Sequence, residues 1–248
     1  MNRIVKRVLQ ITGVIIVLLL LVGFGFFLKI RSEIKNMNPV PTGKVVDNVY
    51  AIKDSFVNMF LVKDSNFYVA FDAGNSITNV VADLKRLNIN PDQVRAILLT
   101  HTDNDHVAAI RIFKNAKVYI SRPEEQMLNG QKSKFLFFRN HIDAKNYSLV
   151  DNQQVLEFGR IKVKGILTEG HTSGSMCFLV DDKYLFTGDV LSLKNGKIGF
   201  SVKFFDMDYE TAKKSIKNIT DLPEVHYIFT SHFGYTADYK NAVRDWKE

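Results

Sequence analysis

The chain begins with one long apolar stretch and then changes to short apolar runs separated by polar turns. The stretch covers Val8 to Leu28 and is interrupted only by Gln10, Thr12 and glycines. As a helix it would extend roughly 31 Å, which is close to the thickness of a bilayer core. It has no polar face, so the core helix of a soluble domain is disfavoured. The pattern predicts a transmembrane helix.

A cleaved signal peptide is the main alternative for this stretch. Its apolar core would be shorter, roughly 7–15 residues, and would precede a site rich in small residues. Here Phe26, Phe27 and Leu28 lead directly into Lys29. We therefore expect residues 1–30 to form an uncleaved single-pass anchor that contacts the lipid bilayer through residues 8–28. Basic residues flank both sides, and Glu33 partly offsets the far side, so we expect the following domain to be extracytoplasmic.

Residues 31–43, with Pro39 and Pro41, are predicted to be a linker, and residues 44–248 a single domain. Runs rich in Val, Tyr and Phe predict strands at Asn48–Ile52, Asn58–Val62, Phe67–Phe71, Val94–Leu99, Lys117–Ile120, Gln154–Phe158, Ile161–Leu167, Met176–Val180, Tyr184–Thr187 and Tyr227–Thr230. Helical spacing predicts helices after Ser76 and at His106–Phe113, Tyr209–Ile219 and Thr236–Trp246.

This order of elements predicts the fold class. Strands followed by helices, twice over, indicate an α/β protein with two similar halves packed as a four-layer αββα sandwich. Residues 122–145 are predicted to be irregular and to line a pocket. Within them, Phe135-Leu136-Phe137-Phe138 is interpreted as a local core, and a substrate lip or a membrane-facing patch is the alternative.

Composition and charge narrow the possible functions. A hydrophobic content of 46% excludes a disordered chain. The net charge is +7, but residues 1–35 hold six basic residues and one acidic residue, so only +2 remains for the domain. Nucleic-acid binding is therefore not favoured. The single cysteine, Cys177, excludes an internal disulfide, and its apolar neighbours predict a buried, inert thiol.

The most informative motif is His101-Thr102-Asp103-Asn104-Asp105-His106, directly after the apolar run Ala96-Ile97-Leu98-Leu99. Imidazole and carboxylate together form the ligand set of Zn, Mn or Fe. A polar cluster at the end of a buried strand is also where α/β folds place their sites. A solvated acidic loop with two incidental histidines is the alternative.

Three further turns each place a His or an Asp beside a glycine at the end of a strand. They are Gly170-His171-Thr172-Ser173-Gly174-Ser175, Thr187-Gly188-Asp189 and Thr230-Ser231-His232-Phe233-Gly234. A single residue of this kind means little. These three turns and the His101–His106 motif, each at a strand end, together favour a shared metal centre. His141 and His226 lie outside the pattern and are predicted to be surface or packing residues.

With these motifs, the chain resembles the metallo-β-lactamase superfamily over roughly residues 45–240. The resemblance rests on the His-rich cluster, the Gly-His-Thr turn, the Phe-Thr-Gly-Asp turn and the late histidine. It implies an αββα sandwich with two divalent metal ions between the sheets. One ion would be bound by His101, Asp103 and His171, and the other by Asp105, His106 and His232. Asp189 would bridge both, and Asp72 of the early Asp-Ala-Gly turn would support the site from behind.

Asp103 departs from the family pattern, in which most members have His at this position. Flavodiiron proteins look similar in carrying an acidic residue there. A third carboxylate adds a hard anionic ligand and shifts the preference from Zn, the expected metal, towards Mn or Fe. It would also make the metals poorer Lewis acids, and the shorter side chain would weaken the first site.

The resemblance implies a metal-dependent hydrolase acting on a small molecule, and the apolar N-terminal stretch predicts that it is anchored in the membrane. A metal-bound hydroxide would attack an ester, thioester, lactone, amide or phosphodiester, with Asp105 orienting the water. An iron-dependent redox enzyme of the same fold is one alternative, motivated by Asp103. A non-catalytic metal-binding domain is another.

Overall fold

A computed structural model of the chain describes residues 2–134, 139–223 and 225–246. It divides into two compact units, Met1–Met37 and Asn38–Glu248. The aromatic group Phe135-Leu136-Phe137-Phe138, predicted to be a local core, lies outside the described residues.

The first unit contains one helix, α1 (Arg3–Lys35). It is long and apolar enough to span a bilayer, although a signal sequence would meet the same criterion. The helix continues five residues into the segment predicted to be a linker. Residues 31–35 contain neither Pro nor Gly, and Lys29 forms a 3.2 Å ion pair with Glu33 one turn further on.

The second unit contains two large mixed sheets and a small hairpin. The first sheet has seven strands in sequential order: β1 (Gly43–Val46), β2 (Val49–Asp54), β3 (Val57–Asp64), β4 (Phe67–Phe71), β5 (Val94–Leu98), β6 (Lys117–Ser121) and β7 (Tyr147–Val150). The second has six, built from β8 (Val155–Phe158), β9 (Ile161–Leu167), β10 (Met176–Val180), β11 (Tyr184–Phe186), β14 (Tyr227–Phe229) and β15 (Tyr235–Thr236). Strands β12 (Leu191–Lys194) and β13 (Lys197–Phe200) form the hairpin.

Short helices accompany the sheets. They are α2 (Ile77–Arg86), α3 (Asn104–Val107), α4 (Glu125–Asn129), α5 (Tyr209–Ser215), α6 (Lys217–Thr220) and α7 (Tyr239–Val243), with 3₁₀ turns at Pro91–Gln93, Ile110–Ile112, Lys203–Phe205 and Arg244–Trp246.

Three buried clusters define the four layers. The central cluster joins both sheets, and its Phe71 and Phe186 rings stack at 4.1 Å between centroids. The second cluster packs Val80 and Leu84 of α2 against the outer face of the first sheet. The third packs the C-terminal helices against the second sheet, where Cys177 is fully buried. The predicted αββα sandwich is confirmed, and burial raises the pKa of the Cys177 thiol to about 12.

The structure corrects four predicted elements. The helix predicted at Thr236–Trp246 begins only at Tyr239, because Thr236 belongs to β15, and it ends in a 3₁₀ turn. The helix predicted at His106–Phe113 is only the single turn α3 followed by a 3₁₀ turn. The helix predicted at Tyr209–Ile219 is divided into α5 and α6 at Ile216. Residues 122–145, predicted to be irregular, contain α4, which ends at Gly130 in the left-handed conformation (φ +80°).

Candidate metal centre

The predicted site residues gather at one end of the sandwich because each follows a strand. Parallel pairing of β4 with β5, and of β11 with β14, brings the carboxyl ends of these strands to the same edge. Asp72 follows β4, the segment His101–His106 follows β5, Asp189 follows β11 and His232 follows β14, while His171 lies between β9 and β10.

The ligand atoms fall into overlapping groups within 4.8 Å of one another. One group is His101, Asp103 and His171, and a second is Asp105, His106 and His232. A third group, formed by His101, His106 and Asp189, links the two. The structure thus brings together the seven residues that the resemblance predicted to be metal ligands.

Buried carboxylates orient two of the imidazole rings. The Nδ1 atom of His106 lies 2.9 Å from Asp72 Oδ2, and that of His171 lies 3.0 Å from Asp206 Oδ1. In both pairs the Nδ1–H group donates, because a carboxylate accepts. The Nε2 lone pair of each ring therefore faces the centre, in the orientation that a metal ligand requires.

Oxygen acceptors orient the other two rings. His232 Nδ1 donates to the carbonyl oxygen of Phe56 at 2.7 Å. His101 Nδ1 lies 3.0 Å from Thr100 Oγ1, whose hydroxyl donates in turn to Asp72 Oδ2 at 2.9 Å. All four predicted histidine ligands thus direct Nε2 towards Asp189, at 3.1–3.9 Å from its carboxylate oxygens.

Asp72 supports the site through the backbone as well as through His106. It adopts a left-handed conformation with φ +62°, which is uncommon outside glycine and costs energy. Its Oδ1 accepts the Thr100 N–H at 2.8 Å. The Thr187-Gly188-Asp189 turn packs against the same threonine. A Cβ on Gly188 would lie 2.5 Å from Thr100 Oγ1, so only glycine fits at this position.

The donor set fits a metal. Among the buried polar atoms of the described residues, His101 Nε2, His106 Nε2 and Asp189 Oδ1 have no hydrogen-bond partner. Buried polar atoms are almost always paired, because leaving one unpaired costs roughly 1–3 kcal/mol. A cation between these atoms would satisfy all three.

The electrostatics of the cluster also favour a cation. Burial alone would raise the pKa of Asp189, but the imidazoles of His232 and His106 hold it well below its ordinary value. Burial alone would lower the pKa of His106, but the carboxylates of Asp189, Asp105 and Asp72 raise it well above its ordinary value. The carboxylates around His106 therefore favour a positive charge at this position, either a proton or a metal ion.

Asp103 reaches the first ligand group despite being shorter than histidine. Its Oδ2 lies 3.6 Å from His101 Nε2 and 3.3 Å from His171 Nε2. It also contacts the ammonium of Lys134, and its Oδ1 accepts from Asn140 Nδ2 at 3.1 Å. Burial alone would raise the pKa of Asp103, but Lys134 and the two imidazoles hold it well below its ordinary value.

Sequence reasoning missed Glu124, which is fully buried behind the motif loops. One oxygen accepts from the backbone N–H and hydroxyl of Thr102, and the other from the Thr172 hydroxyl and the Gly174 N–H, all at 2.6–3.0 Å. Glu124 thus ties the His101–His106 loop to the His171 loop. A Cβ on Gly174 would lie 2.0 Å from the Glu124 nitrogen, which explains the glycine there.

Lys134, Asn140 and Asp206 were also missed. No local sequence pattern identifies these three residues, because each lies outside the motifs and reaches the site only when the chain folds. By contrast, His141 and His226 are exposed, as predicted.

Comparisons with known proteins agree with this geometry. Residues 52–232 match the family model for the metallo-beta-lactamase superfamily, and the chain belongs to this superfamily. A probable metallo-hydrolase of Methanocaldococcus jannaschii, MJ0296, is 30% identical over 62% of the chain and 64% of its own length. The probable polyketide biosynthesis zinc-dependent hydrolase PksB of Bacillus subtilis is 28% identical over 57% of the chain and 54% of its length. The chain therefore spans less than two thirds of these curated relatives.

The fold has close counterparts among solved structures. A metallo-β-lactamase of Cronobacter sakazakii with a HARLDQ motif superimposes with a TM-score of 0.63 and 19% identity over 80% of each chain. At this level of identity the likeness shows the shared fold alone.

Glu124→Gln should destabilise the domain by about 2–4 kcal/mol, because an amide nitrogen would face the N–H and O–H donors now satisfied by a carboxylate. Denaturant unfolding of the full chain in detergent measures the effect. Glu125→Gln is the matched control, since Glu125 is only partly buried and accepts one 3.0 Å bond from Tyr147. Equal stabilities for the two variants would refute the proposed role of Glu124.

Proposed function

We propose that the chain is a membrane-anchored, metal-dependent hydrolase of a small molecule. The observation that carries this proposal is the clustering of four imidazole Nε2 atoms and three carboxylates in overlapping ligand groups at one end of the sandwich. Each Nδ1 atom is bonded to an acceptor behind its ring, so the ligand set is preorganised. The relatives named as a zinc-dependent hydrolase and a metallo-hydrolase support the same reaction class.

His101, Asp103 and His171 would hold one metal ion, and Asp105, His106 and His232 the other. Zinc is the expected metal, with manganese or iron as alternatives because of Asp103. Bound metal would lower the pKa of a water molecule and polarise the scissile carbonyl or phosphoryl group.

Asp189 is suited to bridge the two ligand groups. Its Oδ1 lies 3.4 Å from His106 Nε2, and its Oδ2 lies 3.4 Å from His171 Nε2 and 3.1 Å from His232 Nε2. Its side chain is only 10% exposed, so its position is set by the protein. We assign it the role of fixing the separation of the two ions.

Asp105 is suited to face the substrate. Its Oδ2 lies 3.5 Å from both His106 Nε2 and His232 Nε2, while its side chain is 22% exposed. One oxygen can therefore bind metal while the carboxylate accepts a hydrogen bond from the attacking water and holds it in line.

The substrate class follows from the reaction type. An ester, thioester, lactone, amide or phosphodiester carries an electrophilic centre that this donor set could activate, and the metal supplies the nucleophile without a serine or cysteine. Anchoring through α1 would hold the domain at the outer face of the membrane.

Asp189→Asn should lower metal affinity and the rate of hydrolysis by at least about 100-fold. Substitution of a residue that only hydrogen-bonds a metal ligand already lowers metal affinity or activity by about 10–100-fold. Elemental analysis of the full chain, together with assays on chromogenic esters, thioesters and lactones, measures both. Asp182→Asn is the matched control, because Asp182 is 66% exposed and precedes β11, whereas Asp189 follows that strand. Full activity in the Asp189 variant would contradict its bridging role, and two bound irons with a visible spectrum would move the assignment to redox chemistry.

The full chain should stay in the membrane fraction in high salt and at alkaline pH and be released by detergent. Leu18→Arg with Leu19→Arg should weaken retention, because a central arginine costs about 2.5–3.5 kcal/mol per residue on insertion scales. Mass measurement should find residues 2–30 still attached. Release by salt alone, or a product lacking this segment, would contradict the anchor.

A further inference from the structure

Lys134 places an ammonium group inside the first ligand group. Its Nζ contacts Asp103 Oδ2 and lies 3.0 Å from His171 Nε2. The lysine side chain is only 9% exposed. A lysine so well buried pairs with a specific partner, and here its partners are two of the three residues expected to bind the first metal.

Lys134 uses the atoms that a metal would use. The Nδ1–H of His171 donates to Asp206, so only the Nε2 lone pair of His171 remains, and it points at the lysine nitrogen. Asp103 is engaged on both oxygens, by Lys134 on one and by Asn140 on the other. The ammonium therefore takes the place of a metal ion at Asp103 and His171, while the third atom of the group, His101 Nε2, has no hydrogen-bond partner.

The second ligand group has no such occupant. Among the described residues, the ion pairs of Asp105 are with the imidazoles of His106 and His232, both at 3.5 Å. The unpartnered His106 Nε2 lies in this group. A metal ion must therefore displace the Lys134 ammonium to bind the first group, whereas it need not displace an ammonium to bind the second.

The chain around Lys134 is tethered to α4 on both sides. The Lys132 N–H donates to the Gln126 carbonyl, and the Asn140 N–H donates to the Met127 carbonyl, each at 3.0 Å. The left-handed Gly130 turns the chain back towards the site at the end of α4. These hydrogen bonds hold the segment that carries Lys134 beside the predicted metal centre.

We propose that Lys134 competes with metal for the first ligand group. One ion then binds at Asp105, His106, His232 and Asp189, and a second binds at Asp103 only when the lysine leaves. An ammonium and a divalent ion cannot share these atoms, because their charges repel strongly at such distances. The proposal rests on the proposed function, since it assumes that the cluster is a metal centre.

Zinc titration of the metal-free full chain in detergent, against a chromophoric chelator, tests the competition. The wild-type chain should bind one ion tightly and a second at least about tenfold more weakly. Lys134→Met keeps the length of the side chain but removes the charge, so it should strengthen the second event by at least about tenfold and leave the first unchanged. Lys132→Met, an exposed lysine two residues away, is the matched control and should change neither.

Lysine labelling of the wild-type chain gives a second measurement that needs no variant. Acetylation of Lys134, followed by mass spectrometry, should stay low up to one equivalent of zinc and rise with the second. Two ions of equal affinity in the wild type, or a Lys134 variant that binds like the wild type, would overturn the competition while leaving the metal centre intact. Absence of any bound ion would instead overturn the proposed function itself.

Discussion

The orientation of four imidazole rings by their Nδ1 hydrogen bonds is the constraint on which the candidate site depends. Asp72 and Asp206 hold two rings, and the Phe56 carbonyl and the Thr100 hydroxyl hold the others. A ring that was free to rotate would lose conformational entropy when it bound a metal. These four rings lose that entropy when the chain folds, so metal binding does not have to offset it. The same bonds fix the tautomer that leaves each Nε2 lone pair available.

The sandwich makes this arrangement possible by ending its strands at one edge. The Phe71–Phe186 contact between the sheets and the buried Glu124 carboxylate behind the loops bring both halves of the chain to the same centre. The strained Asp72 and the glycine turns concentrate unfavourable backbone geometry at that edge. Strain of this kind persists where the surrounding structure overdetermines it, as packing does on both faces here.

The sequence predicted much of the fold, and it pointed to eight residues that the structure gathers at one edge: Asp72, His101, Asp103, Asp105, His106, His171, Asp189 and His232. These residues could be found because strand ends and glycine turns are local features. It did not predict β12 and β13, whose pairing is only four residues long, or the break between α5 and α6. The residues that complete the site were hidden for another reason. Glu124 contacts residues 22–50 positions away, and Lys134 contacts residues 31–37 positions away, and no local pattern marks such contacts. The prediction that the shorter Asp103 would weaken the first metal site stays a prediction, although its Oδ2 lies within 3.6 Å of both histidines of that group.

The central claim is that the four Nε2 atoms form a metal centre, and anomalous diffraction from crystals of zinc-loaded protein tests it most directly. The account predicts an anomalous peak at the zinc edge within bonding distance of His106 Nε2, His232 Nε2 and a carboxylate oxygen of Asp105, at roughly 2.0–2.2 Å. Absence of a peak beside these atoms in zinc-saturated crystals, or a peak elsewhere on the chain, would contradict it.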